Sequence, residues 1–133
     1  MITSTIGSKR QRVITTALSG NDEVTGKETD DVIYRNDGDD KLSGNSGDAN
    51  LQGGSGDDHV RGGGQNDVLV AGDGDNFLWR VGKDKFFGGS DNDIMEVGSD
   101  ADQFNCGDGM DTVLEYKASL GDIIASNREI VNP

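Results

Sequence analysis

One apolar residue returns every nine positions along most of this chain. The series is Val24, Ile33, Leu42, Leu51, Val60, Leu69, Leu78 and Phe87, followed one residue early by Met95 and then by Phe104 and Val113. The last three positions of each unit alternate outward, inward and outward, as a short strand does. The first six positions are rich in Gly, Asp and Asn, which favour turns. The pattern predicts eleven strand-and-turn units over residues 17–114, without helical periodicity.

An acidic residue stands two positions before most of these apolar residues, and glycines precede the acid, as in the unit Gly53–Arg61. The chain has 25 acidic and 12 basic residues, a net charge of -13 and 21 glycines, a composition that alone is typical of acidic disordered chains. Disorder gives no reason to keep a register of nine. We therefore expect a bound cation to neutralise the acids, and carboxylate and carbonyl oxygens are the ligands that calcium prefers.

Composition also excludes several classes of function. An excess of acids argues against nucleic acid as a partner, and no segment is apolar for long enough to enter a membrane. No secretory signal peptide is visible in residues 1–20. Cys106 is the one cysteine and His59 the one histidine, and neither has a catalytic partner in the pattern. Because no catalytic motif is present either, we expect a protein that is not an enzyme.

The units resemble the G-G-x-G-x-D-x-U-x nonapeptide of the RTX, or haemolysin-type calcium-binding, repeats. Gly53–Arg61 matches at every position, whereas Gly62–Val70 has Gln65 in place of a glycine. The resemblance implies an all-β fold, a right-handed parallel β-roll solenoid of about eleven nonapeptide units with short caps. Two units would form one turn, with several Ca²⁺ ions between turns on the same side. It also implies an extracellular or cell-surface location.

The irregular ends suggest three segments. Residues 1–19 contain two short stretches rich in Ile, Thr and Val, which predict strands of an N-terminal cap or, alternatively, a partly ordered tail. Residues 20–114 form the calcium-binding repeats. Residues 115–133 break the period and resemble the segment that closes RTX repeat blocks, so we expect a C-terminal cap there.

In a roll of this kind the units alternate between two sides, and sorting them gives two unequal rows. On the first side the sixth positions are Asp22, Asp40, Asp58, Asn76, Asp93 and Asp111, and the fourth positions are Gly20, Gly38, Gly56, Gly74, Asp91 and Gly109. On the second side the sixth positions are Asp31, Ala49, Asp67, Lys85 and Asp102. Ala49 removes a ligand and Lys85 adds positive charge. We therefore expect calcium mainly on the first side, with equal occupancy of both sides as the alternative.

Aromatic residues concentrate where the spacing shortens. Phe87 takes an inward position in this interpretation. Phe77, Trp79 and Phe86 take outward ones, next to Ile94 on one face and to Val68 and Val70 on the other. An exposed patch of this kind would mark a contact surface. The alternative is that the shorter spacing rotates the strand and turns some of these rings inward.

These observations favour a calcium-binding β-roll module that folds and becomes rigid when it binds several calcium ions on one side. Two alternatives stay open. One is a calcium-dependent self-assembling or adhesive unit, with a homo-oligomer or a surface glycan as its partner. The other is a non-catalytic repeat module of a larger secreted enzyme.

Overall fold

The computed structural model describes residues 3–5, 14–16, 19–79, 81–96, 98–114, 123–124 and 129–132, with side chains for 19–79, 81–96 and 98–114. These residues form only strands and turns, and none of them forms a helix that could cross a membrane. The strands are β1 (Thr3–Thr5), β2 (Ile14–Thr16), β3 (Glu23–Thr25), β4 (Val32–Tyr34), β5 (Lys41–Asn45), β6 (Asn50–Ser55), β7 (His59–Gly63), β8 (Val68–Asp73), β9 (Phe77–Trp79), β10 (Lys85–Gly89), β11 (Ile94–Glu96), β12 (Gln103–Gly107), β13 (Asp111–Leu114), β14 (Ile123–Ile124) and β15 (Glu129–Asn132).

Odd and even strands form two separate parallel sheets. The odd sheet has the order β1-β3-β5-β7-β9-β11-β13-β15, and the even sheet has the order β14-β12-β10-β8-β6-β4-β2. Each strand therefore pairs with the strand two units away, as Val24 does with Leu42 and Leu42 with Val60. Two nonapeptides thus make one turn, and the predicted all-β parallel solenoid is confirmed.

The core is a double row of side chains between the two sheets. Each of the strands β3–β13 contributes one central inward residue that is at most 2% exposed: Val24, Ile33, Leu42, Leu51, Val60, Leu69, Leu78, Phe86, Met95, Phe104 and Val113. Their neighbours in each strand face outward because successive strand residues point to opposite faces. The apolar period of nine is therefore the spacing of this core.

Close stacking of the turns explains the glycine after each strand. Gly54 and Gly72 lie in successive turns with φ of 123° and 118°. A Cβ at Gly72 would overlap the carbonyl oxygen of Gly54. Glycine satisfies both requirements because it has no Cβ and adopts positive φ without strain.

The shortened unit lies one strand earlier than the sequence interpretation placed it. Phe86 is fully buried and Phe87 is 38% exposed, so the expected positions of these two residues are wrong. Leu69 pairs with Phe86, 17 positions later, and the turn 80–84 has five residues where the turn 35–40 has six. The shorter turn places Phe86 against Phe104, with ring centroids 5.1 Å apart in a stacked arrangement.

The ends of the roll continue both sheets. β1 pairs with β3 and β2 with β4, while β14 pairs with β12 and β15 with β13. Most of the two predicted caps, including residues 6–13 and 115–122, lies outside the described residues.

Substituting each of the two adjacent phenylalanines tests this register. We expect Phe86→Ala to lower the free energy of unfolding by about 3–5 kcal/mol, because it removes a buried ring from a packed core. Phe87→Ala should change it by no more than about 0.5 kcal/mol, as is usual for surface positions. Urea unfolding in saturating calcium measures both, and a larger loss for Phe87→Ala would contradict the register.

Candidate metal centre

Two columns of turns connect the sheets. Edge one is the set of turns that precede odd strands, and edge two is the set that precede even strands. A gap is the space between two successive turns on the same edge. The sixth-position residue of each described turn on these edges is buried. Side chains that the sequence separates by 18 positions therefore stack into one inner column on each edge.

On edge one the inner column is joined by side-chain hydrogen bonds. The backbone N–H of Asp22 donates to Oδ1 of Asp40 at 2.7 Å, and the N–H of Asp40 donates to Oδ1 of Asp58 at 2.8 Å. The same bond links Asp58 to Asn76, Asn76 to Asp93 and Asp93 to Asp111. All six predicted sixth-position residues of this edge are thus brought together in one column.

Edge two differs from its prediction. The N–H of Ala49 donates to Asp67 at 2.8 Å, the N–H of Asp67 to Asp84, and the N–H of Asp84 to Oδ1 of Asp102 at 2.9 Å. Asp84 is therefore the sixth-position residue of its turn, and it is buried, whereas Lys85 is exposed. The prediction that Lys85 interrupts this column is wrong, because the shorter turn moves every residue of β10 by one position.

The first carboxylate of edge two is satisfied within its own turn. Asp31 accepts hydrogen bonds from the backbone N–H of Lys27 at 3.0 Å and from the Thr29 hydroxyl at 3.2 Å. It faces the turn of Ala49, which has no carboxylate at its sixth position. The expected interruption of the row of sixth-position carboxylates on the second side is therefore seen only in this N-terminal part of edge two.

Each carboxylate of the inner column on edge one has a second oxygen. Oδ2 of Asp40, Asp58, Asp93 and Asp111 is buried without a hydrogen-bond partner. Buried polar atoms are nearly always paired, and a buried unpaired charge is costly. Four such oxygens on one edge indicate that this fold needs a positive charge between its turns.

Burial of the inner-column carboxyls on edge one also raises their pKa values. Burial raises the pKa of Asp58 to about 7 and that of Asp93 to about 7, against opposing hydrogen bonds from Asp40 and Asn76 respectively. Burial also raises the pKa of Asp40 and of Asp111. At neutral pH these carboxyls therefore require a proton or a nearby cation.

Asn76 divides the column on edge one into two halves. Its Oδ1 accepts the N–H of Asp58, and its Nδ2 donates to the carbonyl oxygen of Gly74 at 2.8 Å. The Asn76 amide thus continues the hydrogen-bond ladder through its oxygen, and its nitrogen binds the carbonyl oxygen of Gly74. Three gaps have a carboxylate on both turns: Asp22 with Asp40 and Asp40 with Asp58 before Asn76, and Asp93 with Asp111 after it.

A second, outer column runs beside the first. The fifth-position side chains accept the backbone N–H of the next turn, as Asp39 does from Asp57 at 3.1 Å and Asp57 from Asp75 at 2.9 Å. Asp39, Asp57 and Asp75 are exposed, and these hydrogen bonds hold them in register. This column surrounds the buried carboxylates with further negative charge, which attracts cations.

The predicted fourth-position glycines also form a column. Gly20, Gly38, Gly56, Gly74 and Gly109 all have positive φ, between 107° and 133°. A Cβ at Gly56 would lie 2.7 Å from the carbonyl oxygen of Gly38, so the backbones of successive turns approach closely here. The structure thus places each predicted glycine in the turn that carries its acid.

The donor set fits a hard cation. Among the described residues, no group of three or more His, Cys, Asp or Glu side chains could hold a metal. A cation in a gap would therefore combine the carboxylates of two turns with backbone carbonyl oxygens. Oxygen ligands of this mixed kind, without nitrogen or sulfur, are those that calcium takes.

The comparison with protein families agrees with this geometry. A model of the RTX calcium-binding nonapeptide repeat (4 copies) matches residues 16–50, 43–78 and 81–113, which is most of the chain. The chain belongs to this family. The RTX repeats bind calcium, and the break at 79–80 lies beside the short turn 80–84. Comparisons with curated proteins and with solved structures gave no significant match.

The predicted aromatic surface is only partly assembled. Phe77 and Trp79 lie on the outer face of the odd sheet, where their ring centroids are 5.1 Å apart and His59 contacts both rings. Val68 and Val70 belong to the even sheet and pair with Lys85 and Phe87. The two expected faces thus belong to different sheets, and the expectation that Phe86 is exposed on one of them is wrong because its ring is buried.

Two residues of the site escaped sequence reasoning. Asp84 stands two positions before Phe86, so the rule that an acid precedes the apolar residue would have selected this pair over Lys85 and Phe87. Arg35 takes a first position that is usually glycine, and its side chain is buried beside Asp22. Sequence alone gave no reason to place an arginine inside the roll.

The raised pKa values predict how pH affects the stability of the calcium-free protein. These carboxyls have a pKa of about 4 in the unfolded chain and a higher pKa in the folded one. The fold is therefore most stable below about pH 4, and this stability is lost as the pH rises toward 7. We expect the urea midpoint of calcium-free protein to fall between pH 4.5 and pH 7.5. The double variant Asp58→Asn, Asp93→Asn should flatten this dependence, and a midpoint that rises with pH would contradict it.

Proposed function

We propose that this RTX repeat block is a calcium-dependent structural module that is rigid when calcium occupies the gaps between its turns and loose without it. The observation that carries the proposal is the buried column on edge one, in which Asp40, Asp58, Asp93 and Asp111 each have an oxygen without a partner. Calcium, when bound, supplies positive charge and accepts oxygen ligands at these positions.

The best candidate positions are the gaps with a carboxylate on both turns. On edge one these are the gap of Asp40 and Asp58 and the gap of Asp93 and Asp111, whereas the gap of Asp22 and Asp40 already has the buried guanidinium of Arg35 beside Asp22. On edge two the turns of Asp67, Asp84 and Asp102 form a continuous row of buried carboxylates. We therefore propose sites on both edges.

Folding and binding are coupled in this proposal. Stacking the turns brings buried carboxylates together, and each inner-column acid carries a desolvation cost that water does not offset. The residues hold their oxygens toward the gaps only when the turns are stacked, so a cation that binds there stabilises the folded state alone. The free energy of binding then becomes free energy of folding.

The place of action follows from the same coupling. A chain that needs calcium to become rigid is suited to surroundings where calcium is abundant. We propose that the module works outside the cell or at its surface. We further propose that it serves as a non-catalytic part of a larger secreted protein.

A second candidate function is contact with a surface. His59 and Trp79, which cluster with Phe77, border a groove of about 330 Å³ on the outer face of the odd sheet, and Lys41 and Arg61 also line this groove. An aromatic ring beside charged and polar side chains suits adhesion, self-assembly or a surface glycan. This function would depend on calcium only through the fold.

Calcium titration of the calcium-free protein tests the main proposal. We expect the far-ultraviolet circular dichroism spectrum to gain β-structure as the loose calcium-free chain becomes rigid, and the free energy of unfolding to rise by about 2.7 kcal/mol per site at a hundredfold excess over Kd. Magnesium is the control, because it retains its water and suits these carbonyl-rich gaps poorly. A spectrum indifferent to calcium would contradict the proposal, and sedimentation in the same titration detects assembly.

Two adjacent aspartates provide a matched pair for locating the sites. Asp58→Ala should lower the number of bound calcium ions, because it removes a buried carboxylate from the inner column. Asp57→Ala removes an exposed acceptor of the Asp75 N–H, so it should cost about 0.5–1.5 kcal/mol of stability without loss of an ion. Equilibrium dialysis counts the ions, and equal counts for both variants would place the metal elsewhere.

A further inference from the structure

The first position of a turn is the point where the chain leaves one strand and enters the gap. Most of the described turns have glycine at this position: Gly26, Gly44, Gly53, Gly62 and Gly88. Two others have a small buried residue, Ala71 or Cys106. A Cβ at Gly53 would overlap Oδ2 of Asp58, so this position borders the second carboxylate oxygen. Among the first positions that the structure describes, Arg35 alone carries a charge.

The Arg35 side chain is inside the roll. It is 2% exposed, and Nη1 lies 3.4 Å from Oδ2 of Asp22, whose side chain is also 2% exposed. The backbone N–H of Arg35 donates to the carbonyl of Gln52 at 2.9 Å, which fixes this residue in the stack of turns. Nε of Arg35 is buried without a hydrogen-bond partner.

The guanidinium lies in the first gap of edge one. This gap is bounded by Asp22 and Asp40, because the N–H of Asp22 donates to Oδ1 of Asp40 at 2.7 Å. Burial raises the pKa of Asp40, and the Asp22 N–H and the charge of Arg35 both oppose the rise. Arg35 therefore acts electrostatically on both carboxylates of the gap.

An arginine at this place has the properties of a permanent counter-ion. Its guanidinium stays protonated at every pH that a protein encounters, and it is less strongly hydrated than an ammonium group. A divalent cation in the same gap would meet a buried like charge. It would also compete for the Oδ2 of Asp22 that Arg35 already contacts.

We propose that Arg35 fills the first gap of edge one as a built-in cation, so that this gap binds no calcium and the metal sites begin at Asp40 and Asp58. This inference rests on the proposed function, since it removes one gap from those in which the module would bind calcium. Edge two agrees at the same end, because Asp31 is satisfied by Lys27 and Thr29 and faces Ala49. The acids of the turns before β3 and β4 therefore both have partners from the chain itself: Arg35 for Asp22, and Lys27 and Thr29 for Asp31.

Counting calcium ions in variants of the full chain tests the assignment. Arg35→Gly restores the glycine of other turns and should bind one more ion than the wild-type chain, whereas Arg35→Lys keeps the charge and should bind the same number. Circular dichroism in saturating calcium verifies that each variant is folded. A folded Arg35→Gly chain with an unchanged count would overturn the proposal.

A second substitution keeps the test decisive if Arg35→Gly does not fold. Asp22→Asn should leave the ion count of the wild-type chain unchanged, because Asp22 pairs with Arg35 and not with metal. In the Arg35→Gly background the same substitution should remove the additional ion. A lower count for Asp22→Asn alone would overturn the proposal, whereas a wild-type chain that binds no calcium at all would refute the proposed function itself.

Discussion

Hydrogen bonding between successive turns is the interaction on which the rest of this structure depends. Strands stack through ordinary parallel ladders, but the turn backbone at the fifth and sixth positions bonds to side-chain oxygens 17 or 18 residues away. The inner column accepts from the preceding turn, and the outer column accepts from the following one. A short side chain with an acceptor oxygen is needed at both positions, and this explains why Asp and Asn dominate the turns.

This arrangement determines the electrostatics of the molecule. The carboxylates that satisfy the backbone are drawn into an interior that is otherwise apolar, and in Asp40, Asp58, Asp93 and Asp111 the buried Oδ2 has no hydrogen-bond partner. At three places the chain itself lessens this buried negative charge. Asn76 replaces a charge with an amide, Arg35 supplies a guanidinium, and Ala49 removes the group altogether.

The periodic part of the fold could be predicted from sequence because each unit repeats the same physical demands: an inward apolar residue, glycines where turns touch, and an acid before the strand. The exception is the unit around Phe86. Two adjacent phenylalanines satisfy the apolar pattern equally. The acid two positions earlier, Asp84 before Phe86 rather than Lys85 before Phe87, is the sequence signal that distinguishes them. The burial of Arg35 was not predictable, since its partner Asp22 is 13 positions away and belongs to another turn.

The short turn 80–84 has a consequence for how such a chain can vary in length. Both sheets change from an interval of 18 to one of 17 across it, yet Leu78 still pairs with Met95 and Leu69 with Phe86. A missing residue in a turn is therefore absorbed locally, whereas one missing inside a strand would reverse the facing of its side chains. Whole turns, two units at a time, are the natural increments of growth, because a single added unit would exchange edge one for edge two in everything that follows.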